Sequence, residues 1–129
     1  MKTVVKNIVT PVFPASVNIL TYPLPVLLSG KMLAVLERTH PTPRDLYDLF
    51  WLLSRNVTED MTYLNVMSQH RITNSRALYE ALLANIEKYT DRQIMTELGA
   101  LLPAKQRKWA CSSLKARTRA LLEQRLQSV

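Results

Sequence analysis

Apolar residues recur every three or four positions along most of the chain, a spacing that predicts amphipathic helices. We expect five to six helices between residues 23 and 129, the first over residues 24–38 and the second over residues 43–55. Pro25 and Pro43 suit the first turns of these two helices, because the first amides of a helix have no partner within it. Only a short loop separates the two helices, so their polar faces are expected to meet.

Polar residues that are typical of helix starts precede the third, fourth and fifth predicted helices. Their side-chain oxygens can accept hydrogen bonds from the first helical amides, and a threonine followed three residues later by a glutamine forms a reciprocal capping box. The predicted caps are Thr58 for the third helix, Asn74 or Ser75 for the fourth, and Thr90 with Gln93 for the fifth. The last helix is predicted to run from about Pro103 towards the end of the chain.

The first 22 residues are rich in β-branched side chains, which predicts extended structure rather than helix. Pro11 and Pro14 interrupt this run, so we expect an edge strand or two short strands. Two short strands do not form a stable sheet alone, and their open edge favours pairing with a second copy as a homodimer. The predicted fold is α+β but mostly α, with a short β segment at residues 1–22 and a helical domain at residues 23–129.

The formal net charge is +7, and basic residues are concentrated near the C-terminus. Residues 103–129 contain seven lysines and arginines against one acid, Glu123, which gives this segment a net charge of +6. Such a concentrated positive field favours polyanions such as RNA. Lys108, Lys115 and Arg119 fall near one side of the last predicted helix and are the candidate RNA-binding residues. A solvated helix face, or a surface for an acidic partner protein, is an equally good interpretation.

The composition of the chain indicates the cellular compartment in which the protein is expected to be found. Cys111 is the one cysteine, which excludes an intrachain disulfide and fits a reducing cytoplasm. No cysteines or histidines have the spacing of zinc ligands, so we expect no metal-binding residues of that type. No run of about 18 apolar residues is present, and neither a membrane span nor a signal peptide is predicted. We therefore expect a cytoplasmic protein with no membrane partner.

Charged residues on the first two predicted helices could carry chemistry. Lys31 and Arg38 are seven positions apart and share one helix face, while Asp45 and Asp48 project together from the first turn of the next helix, just after Arg44. These two faces would suit a triphosphate, because lysine and arginine bind phosphate oxygens. An aspartate can order a hydroxyl nucleophile or a metal-bound water. The alternative is that ion pairs simply tie the two helix faces together.

The sequence around these residues resembles a known family. The run LTYPLPVLLSGK ending at Lys31, followed by Arg38 and by RDLYDL at residues 44–49, resembles the third and fourth motifs of AbiEii/AbiGii-type nucleotidyltransferase toxins. The resemblance covers roughly residues 17–55 and implies roles for four charged residues. Lys31 would bind the phosphates of the nucleotide with Arg44 in support, and the catalytic residues, of which one is essential, would be Asp45 and Asp48. Arg38 is a further nucleotide-binding candidate from its position on the face of Lys31.

Members of this family are toxins of toxin–antitoxin and phage abortive-infection systems, and they are similar to the polymerase-β-like nucleotidyltransferases. The resemblance implies transfer of a nucleotide from an NTP to an acceptor, which in some members is tRNA. It further implies Mg²⁺ as the cofactor of the intact enzyme and an antitoxin as a protein partner.

One part of the family pattern has no counterpart in these residues. The family's first motif is a Gly-Ser turn followed by a strand with paired aspartates that binds magnesium, whereas the first acidic residue here is Glu37. We therefore expect the C-terminal part of such a toxin, with its β segment a remnant of the nucleotidyltransferase sheet edge. We expect it to bind no metal and to be inactive alone. The alternative is a non-enzymatic basic helical protein that binds nucleic acid or a protein partner.

Overall fold

A computed structural model describes the backbone of residues 4–8, 17–21, 23–40, 42–98 and 102–129, and side chains from residue 23 onward except in 110–112. The described backbone forms two strands and six helices. Their bounds are β1 (Val4–Ile8), β2 (Val17–Thr21), α1 (Leu24–Glu37), α2 (Pro43–Ser54), α3 (Met61–Met67), α4 (Ser75–Ile86), α5 (Asp91–Leu98) and α6 (Ala104–Gln127). The protein is therefore mostly helical, as its apolar spacing predicts.

The two strands pair with each other in antiparallel register. Val4 lies opposite Thr21 and Ile8 lies opposite Val17, which gives a two-stranded sheet within the described residues. Pro11 and Pro14, which the sequence places between the strands, lie outside the described residues.

A single apolar core joins the helices. Helix α6 packs against α2, α4 and α5, while α1 packs against α2, α3 and α4. The core side chains with no exposed surface come from every helix and are Leu28, Met32, Leu46, Leu49, Leu64, Leu82, Ile86, Ile94, Leu114 and Leu122. Since α2 contacts both α1 and α6, its N-terminal turn is held in a fixed position relative to the polar face of α1.

Two of the predicted helix caps are confirmed and one is wrong. Asn74 Oδ1 accepts a hydrogen bond from the Ala77 amide at 2.8 Å, and Thr90 and Gln93 exchange amide-to-side-chain hydrogen bonds at 3.0 and 3.1 Å. The cap of α3 is Asp60 rather than Thr58. The Asp60 carboxylate accepts from the third helical amide at 3.0 Å, and its negative charge also complements the helix dipole.

Within the described residues, no helix is long and apolar enough to cross a membrane.

Candidate functional site

The four charged residues predicted to meet on α1 and α2 do form one cluster. Lys31 Nζ lies 3.3 Å from Asp45 Oδ1 and 3.0 Å from Asp48 Oδ2, and Arg38 Nε lies 2.6 Å from Asp45 Oδ2. We call Lys31, Arg38, Asp45 and Asp48 the polar cluster. Helical spacing explains the arrangement, because Asp45 and Asp48 are three apart on α2 and share a face, while Arg38 directly follows α1, seven positions after Lys31.

The two aspartates of the polar cluster differ in burial. The Asp45 side chain is 6% exposed and the Asp48 side chain 25% exposed, whereas Lys31 and Arg38 are 34% and 52% exposed. Asp45 Oδ1 accepts a hydrogen bond from Lys31, while the buried Oδ2 accepts none from the described residues. The close approach of Arg38 to Oδ2 is therefore an ion pair whose N–H is not aimed at the oxygen. Asp45 is thus the innermost, buried residue of the polar cluster, and the side chains of Lys31, Arg38 and Asp48 reach solvent.

Tyr89 is a buried neighbour of the polar cluster that sequence reasoning missed. It lies in the turn between α4 and α5 and is 2% exposed. Burial, and secondly the nearby Asp45 carboxylate, raise the pKa of Tyr89 to about 12, although a hydrogen bond with the Thr42 backbone acts in the opposite direction. The sequence feature that could have indicated the burial of Tyr89 is its position just before the cap residue Thr90. An apolar residue at that position often packs onto the helix that follows.

Arg44 is exposed at the second position of α2, next to Asp45. Thr42 is the N-cap residue of the same helix, but its side chain makes no capping hydrogen bond. The acidic residue Asp45 in the first turn complements the positive end of the helix dipole instead.

The polar cluster does not fit a magnesium ion. Mg²⁺ prefers carboxylate and water oxygens in an octahedral arrangement. Here the Lys31 ammonium occupies the space between the two aspartates, and Arg38 covers the remaining oxygen of Asp45. Within the described residues, no group of three or more histidine, cysteine, aspartate or glutamate side chains is placed to hold a metal.

The basic residues of α6 make contacts within the protein. Lys115 Nζ lies 3.4 Å from Glu87 Oε2, and Arg119 donates two hydrogen bonds to Glu87 Oε1. These contacts, that from Arg119 above all, hold the pKa of the Glu87 carboxyl below its ordinary value. The structure thus brings Lys115 and Arg119 together on one carboxylate, while Lys108 is exposed nearer the start of the same helix. The assignment of these three residues to RNA binding stays a prediction.

Trp109 packs against the aromatic side of α2. Its ring centroid lies 5.0 Å from that of Phe50 and 6.5 Å from that of Tyr47, the latter in an edge-to-face geometry. These contacts make Trp109 a packing residue between α6 and α2.

A known family matches most of the chain. A family model described as "Nucleotidyl transferase AbiEii toxin, Type IV TA system" matches residues 2–116 of the 129. The chain therefore belongs to the AbiEii nucleotidyltransferase toxin family, as its polar motifs suggested. Searches of curated proteins and of solved structures returned no match.

The family match is longer than the resemblance read from the motifs. It continues through α3, α4, α5 and the first half of α6, so it includes the whole polar cluster and Lys108. The family is one of nucleotidyltransferase toxins of type IV toxin–antitoxin systems, which implies an antitoxin partner.

Proposed function

We propose that this chain provides the triphosphate-binding part of a nucleotidyltransferase toxin, and that the polar cluster is the site. The observation that carries the proposal is the position of Lys31, whose ammonium is held by two carboxylates of α2 at 3.0 and 3.3 Å while a third of the side chain stays exposed. A cation fixed in direction and open to solvent is suited to neutralise phosphate oxygens.

Each residue of the polar cluster then has a distinct role. Lys31 binds the phosphates, and Arg38, which is half-exposed, turns its guanidinium towards the same ligand. Asp45 is a positioning residue, because its buried carboxylate contacts both cations. Asp48 is the exposed carboxylate, and it is the one that can approach the hydroxyl group of an acceptor. Arg44 supports phosphate binding from the next position along α2.

Metal chemistry would belong to residues outside these 129. The family resemblance implies Mg²⁺ for the intact enzyme, but the polar cluster does not fit this ion, and the described residues offer no alternative ligand set. We propose that the carboxylates for it belong to a segment or a chain that this sequence does not include. The short sheet of β1 and β2 would be an edge of the nucleotidyltransferase sheet, and its open edge would pair with that segment or with a second copy.

The proposed reaction is transfer of a nucleotide from an NTP to an RNA acceptor, with tRNA as the first acceptor to test. The basic α6 would bind the acceptor backbone without reading its sequence. We expect the 129-residue chain alone to transfer no labelled nucleotide to total tRNA with magnesium and any NTP. Robust metal-dependent labelling by the purified chain would contradict the proposal that the metal-binding carboxylates lie outside this chain.

Binding of nucleotide to the chain is the direct test of the site. In titration calorimetry we expect ribonucleoside triphosphates to bind, and Lys31→Gln to weaken binding about tenfold or more, because a charge-assisted contact to phosphate is lost. Lys88→Gln is the matched control, since it removes one positive charge from an exposed position after α4. Equal binding by both variants and the unchanged protein would favour ion pairs that only join two helices.

A further inference from the structure

The ion pair between Lys31 and Asp48 places a carboxylate where the proposed site needs a phosphate. Asp48 Oδ2 lies 3.0 Å from Lys31 Nζ, which is the distance expected of a phosphate oxygen bound to the same ammonium. Both side chains are partly exposed, at 25% and 34%. The carboxylate and an incoming phosphate would therefore compete for one donor group from the same side, that of the solvent.

The charges of the polar cluster support such competition. Lys31 and Arg38 contribute two positive charges, and Asp45 and Asp48 contribute two negative charges, so the cluster as a whole is neutral. A polyanion approaching a neutral cluster gains little attraction at long range. It gains much more once one of the two carboxylates has left Lys31.

Of the two aspartates, only Asp48 can leave without breaking the fold. Asp45 is 6% exposed, is bonded to Lys31 and is paired with Arg38, so its displacement would leave a buried charge without partners. Asp48 is one helical turn further along α2, and its ion pair with Lys31 is not needed to join the two helices, because Asp45 already contacts both Lys31 and Arg38. A change of side-chain rotamer can move it into solvent.

We propose that Asp48 is an internal competitor that occupies the phosphate-binding position of Lys31 until a triphosphate displaces it. This proposal rests on the proposed function, because it assumes that Lys31 is a phosphate-binding residue. Under this proposal, Asp48 lowers the affinity of the site for phosphate, because a ligand must first displace its carboxylate from Lys31. After its displacement, Asp48 remains available to the reaction.

The test uses inorganic tripolyphosphate, without metal, as the probe for the full 129-residue chain. In titration calorimetry at low salt we expect Asp48→Asn to bind the probe about tenfold more tightly than the unchanged protein, since one negative charge next to Lys31 is removed. Asp48→Ser serves as a second variant with a shorter neutral side chain. Glu123→Gln on α6 removes the same charge from an exposed position, and we expect its affinity to change less than about twofold because salt screens distant charges. Circular dichroism confirms that each variant is folded.

The double variant Lys31→Gln/Asp48→Asn identifies the route of the effect. We expect the gain from Asp48→Asn to disappear when Lys31 is absent, since the two groups compete through that ammonium. Equal or weaker binding by both Asp48 variants would overturn the competition while leaving triphosphate binding at Lys31 intact. A gain of the same size in the Lys31→Gln background would also overturn it. If neither the unchanged protein nor Asp48→Asn bound the probe, the proposed function and this inference would both fall.

Discussion

The buried ion pair between Glu59 and Arg125 is expected to be a main support of the helical fold. The two side chains are 3% and 18% exposed, lie 3.5 Å apart, and join the start of α3 to the last turns of α6 across 66 positions. Tyr79 donates its hydroxyl to the same carboxylate, at 2.8 Å from Oε2, and Ser75 Oγ lies 3.3 Å from Oε1. Arg125 donates a further hydrogen bond to the Val57 carbonyl. Loss of either charge therefore leaves the other in a site with little water.

The expected cost follows from that burial. Glu59→Gln keeps the size of the side chain and an acceptor for Tyr79, but it leaves the Arg125 charge without a counter-ion. Breaking a fully buried pair costs about 3–5 kcal/mol, and the partial exposure of Arg125 reduces our expectation to about 2–3 kcal/mol. For a chain of this size that corresponds to a fall in melting temperature of roughly 10 °C. Arg125→Met should cost a similar amount, because it strands the carboxylate.

A double-mutant cycle separates the pair from the rest of its surroundings. In urea unfolding followed by circular dichroism, the double variant Glu59→Gln/Arg125→Met should lose about 2 kcal/mol less than the sum of the two single variants. The exposed pair of Glu37 and Arg71, whose side chains are 50% and 70% exposed, is the matched control, and its coupling should stay below about 0.5 kcal/mol. Additive losses for Glu59 and Arg125 would refute the reasoning.

Two further predictions concern alkaline pH and RNA. Burial raises the pKa of three tyrosines from 10.0 to about 12, those of Tyr47, Tyr79 and Tyr89. Because each folded pKa lies above its unfolded value of 10.0, the folded state keeps its full stability below pH 10 and loses stability as pH rises towards 12. A tyrosinate absorbance titration of the folded protein in which all tyrosines ionised with one midpoint near pH 10 would contradict this. Joint neutralisation of three α6 residues, Lys108, Lys115 and Arg119, should weaken the binding of unrelated RNAs by a similar factor. It should also reduce the slope of log affinity against log salt concentration by the equivalent of about three phosphate contacts. An unchanged slope would remove RNA as a partner of this helix.

The parts of the structure that were predictable are those fixed by short separations in sequence. The polar cluster follows from spacings of seven on α1 and three on α2, together with the short loop that joins them. The caps at Asn74 and Thr90 follow from side chains that reach amides only a few residues away. In each case helical geometry decides which atoms meet, and the sequence contains all of the information needed.

Contacts between distant helices could not be predicted in the same way. Helical periodicity gives the buried face of α6 but not the partner of Arg119, which is Glu87, 32 positions earlier. It likewise places Glu59 near the start of α3, where it suits an exposed first turn, whereas the structure turns it inward to Arg125. The charge pattern alone gives Lys115 and Arg119 as candidates for RNA binding, but it does not give their shared contact with Glu87, which directly follows α4.

Energetics bears on the choice between a nucleotide site and a pair of helices joined by charges. Ion pairs of half-exposed lysine and arginine contribute about 0–1 kcal/mol, because solvent screens them and long side chains lose entropy. Burying the Asp45 carboxylate to 6% exposure costs desolvation that such pairs offset poorly, and an apolar residue there would hold α1 and α2 together at least as well. A contribution to stability is thus a weak explanation for a buried carboxylate at position 45. We propose instead that Asp45 serves to hold Lys31 and Arg38, which are 34% and 52% exposed, in the positions where they would bind a triphosphate.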